Sequence, residues 1–216
     1  TPGVLLGQSA TITAEASASS QATIDLTATG PVTVLGSIVA PGGSINLSTS
    51  TSNTLNTLAS EDVWVGANAV LDVSGAYIPK PTVGNYQTGS VLDAGTITLS
   101  GLTVIALPGS QFRLNGTNAQ IEMLIGSIVS GSRFATREIW SDGGALTLNG
   151  TSYLAGSVDA NGGAPLASGG SLTINGGNIV IEPSGLIATA LTGTGATAYP
   201  LTPAALRAAL PSAYGT

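Results

Sequence analysis

The sequence predicts an all-β fold, a parallel β-helix (β-solenoid) of about six to seven rungs with two insertions at one corner. Three observations carry this. A short alternating motif recurs, as in Gly143-Gly144-Ala145-Leu146-Thr147-Leu148-Asn149-Gly150 and Gly169-Gly170-Ser171-Leu172-Thr173-Ile174-Asn175-Gly176. Leu146 and Leu148 point one way and Thr147 the other, the period of a strand with one buried face. Each copy is bounded by glycine and is too short to bury its apolar face alone, so it needs copies of itself as neighbours. Finally, charged residues are only 7 % and aromatics 4 %, while apolar residues reach 43 %. Helical proteins need more Lys, Glu and Arg to solvate their outer faces. Stacked strands can be solvated by Thr, Ser and Asn, and the apolar content argues against disorder.

Further copies are Ala94-Gly95-Thr96-Ile97-Thr98-Leu99-Ser100-Gly101 and Gly42-Gly43-Ser44-Ile45-Asn46-Leu47-Ser48. Ala22-Thr23-Ile24-Asp25-Leu26-Thr27 is a weaker copy and Ala10-Thr11-Ile12-Thr13-Ala14 a degenerate one. All six are read as strand one of successive rungs. In order along the chain, residues 4–14 are expected to form an incomplete first rung. Ile24–Leu26 then begins a fuller one, and Gly30-Pro31 turns the chain. Val32-Thr33-Val34 is strand two and Ser37-Ile38-Val39 strand three, with Pro41-Gly42-Gly43 closing the circuit. Three short strands and three turns in roughly 20–26 residues is the footprint of one β-helix turn.

The order repeats. After Leu47 a Ser/Thr/Asn stretch over 48–60 delays strand two, Val63-Trp64-Val65, and Ala69–Val73 is strand three. After Leu99 come Thr103-Val104-Ile105 and Gln111–Leu114; after Leu148 come Tyr153-Leu154 and Ser157-Val158-Asp159; after Ile174 come Asn178–Ile181 and Leu186-Ile187-Ala188. The intervals from Gly43 to Gly95 and from Gly95 to Gly144 are about twice the ordinary circuit. Their surplus lies after strand three, at 76–93 and 117–142. Insertions at one corner project from one side of a rod. Part of 117–142 also alternates, at Gln120-Ile121-Glu122-Met123, so a projecting loop and an extra rung both remain open. Residues 1–195 are assigned to the solenoid and 196–216 to a tail. In the tail, Thr202 as N-cap, Pro203 in the first turn and Pro211 as a stop predict a short helix, a cap or linker.

Composition excludes several chemistries. Net charge is −6 and only Lys80, Arg113, Arg133, Arg137 and Arg207 are basic, so no stripe for nucleic acid exists. There is no Cys and no His, which removes disulfides, thiolate or imidazole metal sites and His-based nucleophilic triads. No calcium-binding glycine nonapeptide is present, and the glycines lead into strands rather than phosphate-binding helices. No catalytic residue, cofactor or metal is expected. The eleven acids include Asp25, Asp72, Asp159 and Glu182 at isolated rungs. The densest charged group, Arg137, Glu138 and Asp142, reads as a solvated insertion, and Glu61-Asp62 as a turn. No run of 18 apolar residues appears, so no segment is expected to span a bilayer as a helix. Thr1-Pro2-Gly3 is not a signal peptide, so the chain reads as an excerpt whose export signal lies elsewhere.

Candidate surface-binding residues are Tyr77, Tyr86, Arg133, Arg137 and Trp140, in or near the insertions. Exposed aromatics on loops stack on sugars; the plainer reading is that these, with Tyr153, pack the loops onto the rod. Asn46, Asn115 and Asn149 match the glycosylation sequon.

The glycine-bounded segments Gly-Gly-Ser-Ile-Asn-Leu and Ala-Gly-Thr-Ile-Thr-Leu-Ser-Gly, with Val63–Gly75 and Leu154–Gly163, resemble the filamentous haemagglutinin family, large exoproteins of bacterial two-partner secretion. The resemblance covers about residues 22–188 and specifies architecture better than function. It implies a right-handed β-helix, secreted to the extracellular surface of a Gram-negative bacterium through an outer-membrane β-barrel transporter. It implies adhesive or surface-structural work on a host-cell or bacterial receptor or glycan, with this stretch as internal shaft. The expected function is therefore an adhesive, structural shaft, not an enzyme. The rivals are a self-assembling filament subunit, whose open rod ends stack, and a polysaccharide-active β-helix enzyme.

Overall fold

The computed structural model describes residues 3–17, 20–49, 62–80, 86–125 and 133–176. All regular structure among them is β, and it builds a parallel β-solenoid. The first level holds β1 (Val4–Leu6) and β2 (Thr11–Thr13). The second holds β3 (Thr23–Ala28), β4 (Val32–Val34) and β5 (Ser37–Val39). The third holds β6 (Ser44–Thr49), β7 (Asp62–Val65) and β8 (Val70–Asp72), followed by a hairpin of β9 (Ala76–Lys80) and β10 (Thr88–Leu92). In the fourth, the long β11 (Thr96–Ala106) serves two faces before β12 (Gln111–Arg113) and a second hairpin, β13 (Asn118–Ile125) with β14 (Arg133–Trp140). The fifth holds β15 (Ala145–Leu154) and β16 (Ser157–Asp159), and the sixth β17 (Ser171–Asn175).

Stacking is parallel and in register. On the first face Ile24, Ile45, Ile97, Leu146 and Leu172 form one column, and Leu26, Leu47, Leu99, Leu148 and Ile174 the next. The second face stacks Val4, Val32, Val63 and Val104, and the third Ile12, Ile38, Leu71, Phe112 and Val158. These columns meet in one core in which Ile45, Ile97, Leu99, Leu146 and Phe112 have essentially no exposure. Burying each such side chain contributes about 1.5–3 kcal/mol.

The segment Ala10–Ala14 does not belong to strand one. Its strand β2 pairs with β5, placing Ile12 on Ile38 in the third face. The distinguishing pattern was present: Ile12-Thr13-Ala14 matches Ile38-Val39-Ala40 and Val158-Asp159-Ala160, in which an apolar residue precedes an alanine at the corner. The segment also lacks the glycine that opens four of the other five copies.

That glycine has a steric cause. A Cβ at Gly43 would overlap the carbonyl oxygen of Ala22; at Gly95, that of Gly43; at Gly144, that of Gly95; and at Gly170, that of Gly144. The same oxygens accept the first amides of the next strand, Ser44 N to Ala22 O at 2.8 Å and Thr96 N to Gly43 O at 3.0 Å. From the third level to the sixth, each rung therefore enters its first strand through a residue with no side chain, whereas the second level enters through Ala22. At the next corner Gly150 has φ of 119°, a conformation glycine adopts freely.

The second insertion is not an extra rung. β11 pairs directly with β15, from Thr96 on Ala145 to Ala106 on Leu154, leaving no level between them. Both insertions are antiparallel hairpins. The expected tail helix and the strands expected after Ile174 lie outside the described residues.

Candidate binding surface

Both hairpins leave the rod at the same corner, after the third face. Their roots stack: Gly75 N donates to Asn115 O and Gly116 N to Asn161 O, at 2.8 and 2.7 Å. Ser141 closes the second root, with Thr117 N donating to its Oγ at 2.8 Å and its own amide to Thr117 O at 2.9 Å. Asp142 N donates to Asp93 Oδ1 at 3.1 Å, tying the exit of one hairpin to that of the other. Farther out the hairpins hold each other. Glu122 N donates to Gln87 O at 2.8 Å, and Gln87 N to Glu122 Oε2 at 2.6 Å. The rings of Tyr86 and Phe134 stack with centroids 3.8 Å apart and planes 23° apart.

Directly opposed residues of an antiparallel pair share a face. One face of the β13–β14 hairpin carries Asn118, Gln120, Glu122 and Leu124 opposite Trp140, Glu138, Thr136 and Phe134. The other carries Ala119, Ile121 and Met123 opposite Ile139, Arg137 and Ala135. Ile121 is buried, whereas Gln120, Thr136, Glu138 and Trp140 are exposed, Trp140 by 41 %.

All five residues expected at a binding surface lie on the two hairpins, but they do not converge. Tyr77 packs over Gly89 and its hydroxyl donates to Thr88 O at 3.0 Å, inside its own hairpin. Tyr86 is engaged with Phe134. Trp140 and Arg137 fall on opposite faces, and Arg133 holds the register position opposite Ile125. Tyr153 is only 4 % exposed; it stacks in register with Ile105 and Trp64 in a second apolar cluster, on the outside of the second face. The densest charged group is dispersed as well, since Asp142 Oδ1 accepts from Ser168 N at 2.7 Å while Glu138 and Arg137 face apart.

The sequon asparagines are parts of ladders. The outer side of the first face stacks Asp25, Asn46, Thr98, Thr147 and Thr173 in one row and Thr27, Ser48, Ser100, Asn149 and Asn175 in the next. Asn46 Nδ2 donates to Asp25 Oδ1 at 2.6 Å. Asn149 Nδ2 donates to Ser100 Oγ and its Oδ1 accepts from Asn175 Nδ2, both at 2.9 Å. Asn115 Oδ1 accepts from Asn161 N at 2.8 Å. Alternation alone could not show this role; the recurrence of Asn and Ser at the same outward offset was its signal. On the third face Arg113 stands between Asp72 and Asp159 in adjacent levels, 3.9 Å from Asp72 Oδ2. Two acids read as isolated therefore flank one cation. Among the described residues no group of three or more acids is placed to hold a metal, and no helix is long and apolar enough to cross a membrane. No family model matches the chain, and no curated protein or solved structure matches it either.

Proposed function

We propose that the chain is a structural and adhesive shaft segment of a large secreted bacterial surface exoprotein, of the filamentous haemagglutinin type, exported through an outer-membrane β-barrel. The observation that carries this reading is the pairing of a plain rod with two hairpins that project together from one corner and brace each other. A rod whose backbone groups are satisfied between rungs gives reach, with open edges only at its ends. Braced hairpins on a rigid scaffold give a fixed display surface. The role is mechanical and adhesive rather than catalytic, and its partners are receptors or glycans on host or neighbouring bacterial surfaces.

The test is binding of the purified rod to host cells, bacterial cells and surface glycans. Each hairpin is replaced in turn by a short glycine-containing turn, singly and together. Binding by the intact rod that disappears when both are removed supports the reading. Binding that survives their removal, with the rod still folded, refutes the hairpins as the display surface.

A further inference from the structure

We infer that the outer face of the β13–β14 hairpin is a binding strip for a linear, uncharged oligosaccharide, anchored by Trp140. This deepens the display reading and rests on it. The hairpin is two-sided. One side includes the buried Ile121 and the partly buried Ala119, Ala135 and Ile139, with Met123 and Arg137 exposed. The other side is the more exposed, with Glu122 and Phe134 partly buried, and on it the Trp140 side chain lies 41 % exposed. A tryptophan on a solvent-facing strand, outside both apolar clusters, leaves its ring available as a platform.

The neighbours of that ring set the ligand chemistry. Gln120 and Glu138 are cross-strand partners one position along the strip from Trp140 and Asn118, and Thr136 follows. All are exposed. An amide offers donors and acceptors, a carboxylate accepts, and a hydroxyl does both, which suits the vicinal hydroxyls of a sugar. The aliphatic C–H face of a pyranose presents weakly positive hydrogens to the negative face of an indole. At the far end the Tyr86–Phe134 stack supplies a second aromatic wall. Phe134 and Trp140 are six residues apart on one strand, about 20 Å at 3.4 Å per residue. This is the length of a short oligosaccharide rather than a single sugar. Neither arginine of the hairpin occupies a register position in this set, whereas the exposed Glu138 does, Glu122 being already engaged with Gln87 N. The strip therefore disfavours sulfated, sialylated or phosphorylated ligands, which would find a carboxylate where they need cations.

The chain reports on its own occupancy. It has two tryptophans, and Trp64 is only 4 % exposed. A ligand on the strip changes the emission of Trp140 over a constant background from Trp64. The experiment titrates the full chain with linear tetrasaccharides of glucose, N-acetylglucosamine, mannose and galactose, and with a heparin-derived sulfated tetrasaccharide. The expected result is a saturable emission change with at least one neutral probe. Affinity, read for every variant by isothermal titration calorimetry because Trp140→Ala removes the fluorescent reporter, should fall roughly tenfold in Trp140→Ala, as for an aromatic anchor, fall in Glu138→Gln, and be unchanged in Arg137→Ala on the opposite face. Circular dichroism verifies that each variant folds, and Gln120→Ala tests the strip without touching the ring. Saturation with no neutral probe, affinity unaltered in Trp140→Ala and Gln120→Ala, or binding confined to the sulfated probe and lost in Arg137→Ala would each overturn the inference. Loss of cell binding on hairpin removal, without any effect of these substitutions, would overturn the inference and leave the display reading standing.

Discussion

Gly95 lies so close to the carbonyl oxygen of Gly43, one level below, that a β-carbon at position 95 would overlap it. The contact repeats from Gly43 to Gly170, so the strand-one corner is a column of backbone on backbone. Gly95→Ala must push adjacent rungs apart at the point where Thr96 N donates to Gly43 O. The expected loss is about 1–3 kcal/mol, as for overpacked interiors. Gly7 has no atom within 4 Å of such a carbon, so Gly7→Ala is expected to be neutral or stabilising by about 0.4–1 kcal/mol. Urea unfolding followed by circular dichroism separates the two.

Leu146 is fully buried between Ile97 and Leu172, whereas Leu172 is 48 % exposed. Leu146→Ala removes methyl groups from the middle of a stacked column and is expected to cost about 2–5 kcal/mol. Leu172→Ala is expected to cost clearly less, because half of its surface is already hydrated. Equal losses from the two would show that the column does not end its burial near the sixth level.

The amide nitrogens of Asn46 and Asn149 are donors within rung ladders. A sugar attached to either nitrogen would replace one of its two hydrogens and crowd a neighbour about 4.8 Å away. Peptide mass mapping of protein from its native source is expected to find Asn46 and Asn149 unmodified. A hexose-type mass increment on either peptide would show that the ladder forms after modification or tolerates it.

Much of this fold was legible in the sequence because a solenoid writes its geometry locally. Glycine, an alternating Leu/Ile pair and a turn recur, and Ile45, Ile97, Leu146 and Leu172 do share one column. Ile12 was misplaced because a three-residue strand carries too little pattern to say which face it serves; only the following Ala14 did. The second insertion was ambiguous between hairpin and rung because period-two alternation is common to both, and antiparallel pairing is a relation between distant residues. The candidate site was legible only as a location. Sequence placed Tyr77, Tyr86, Arg137 and Trp140 on the insertions. It could not show that Tyr86 is taken up by Phe134 or that Arg137 and Trp140 face apart, since both depend on register set across a turn.

The most direct test of the central claim, parallel rungs in register, uses the absence of cysteine from the chain. Thr98 and Thr147 are register partners on adjacent levels with outward side chains, within the Cα separation of about 4.4–6.8 Å that a disulfide spans. The double variant Thr98→Cys/Thr147→Cys is oxidised mildly and read by mass spectrometry and non-reducing gel mobility. An intramolecular disulfide forming readily there, with none in Thr98→Cys/Asn149→Cys, is the predicted result. Free thiols at 98 and 147, or equal cross-linking of the shifted pair, would contradict it.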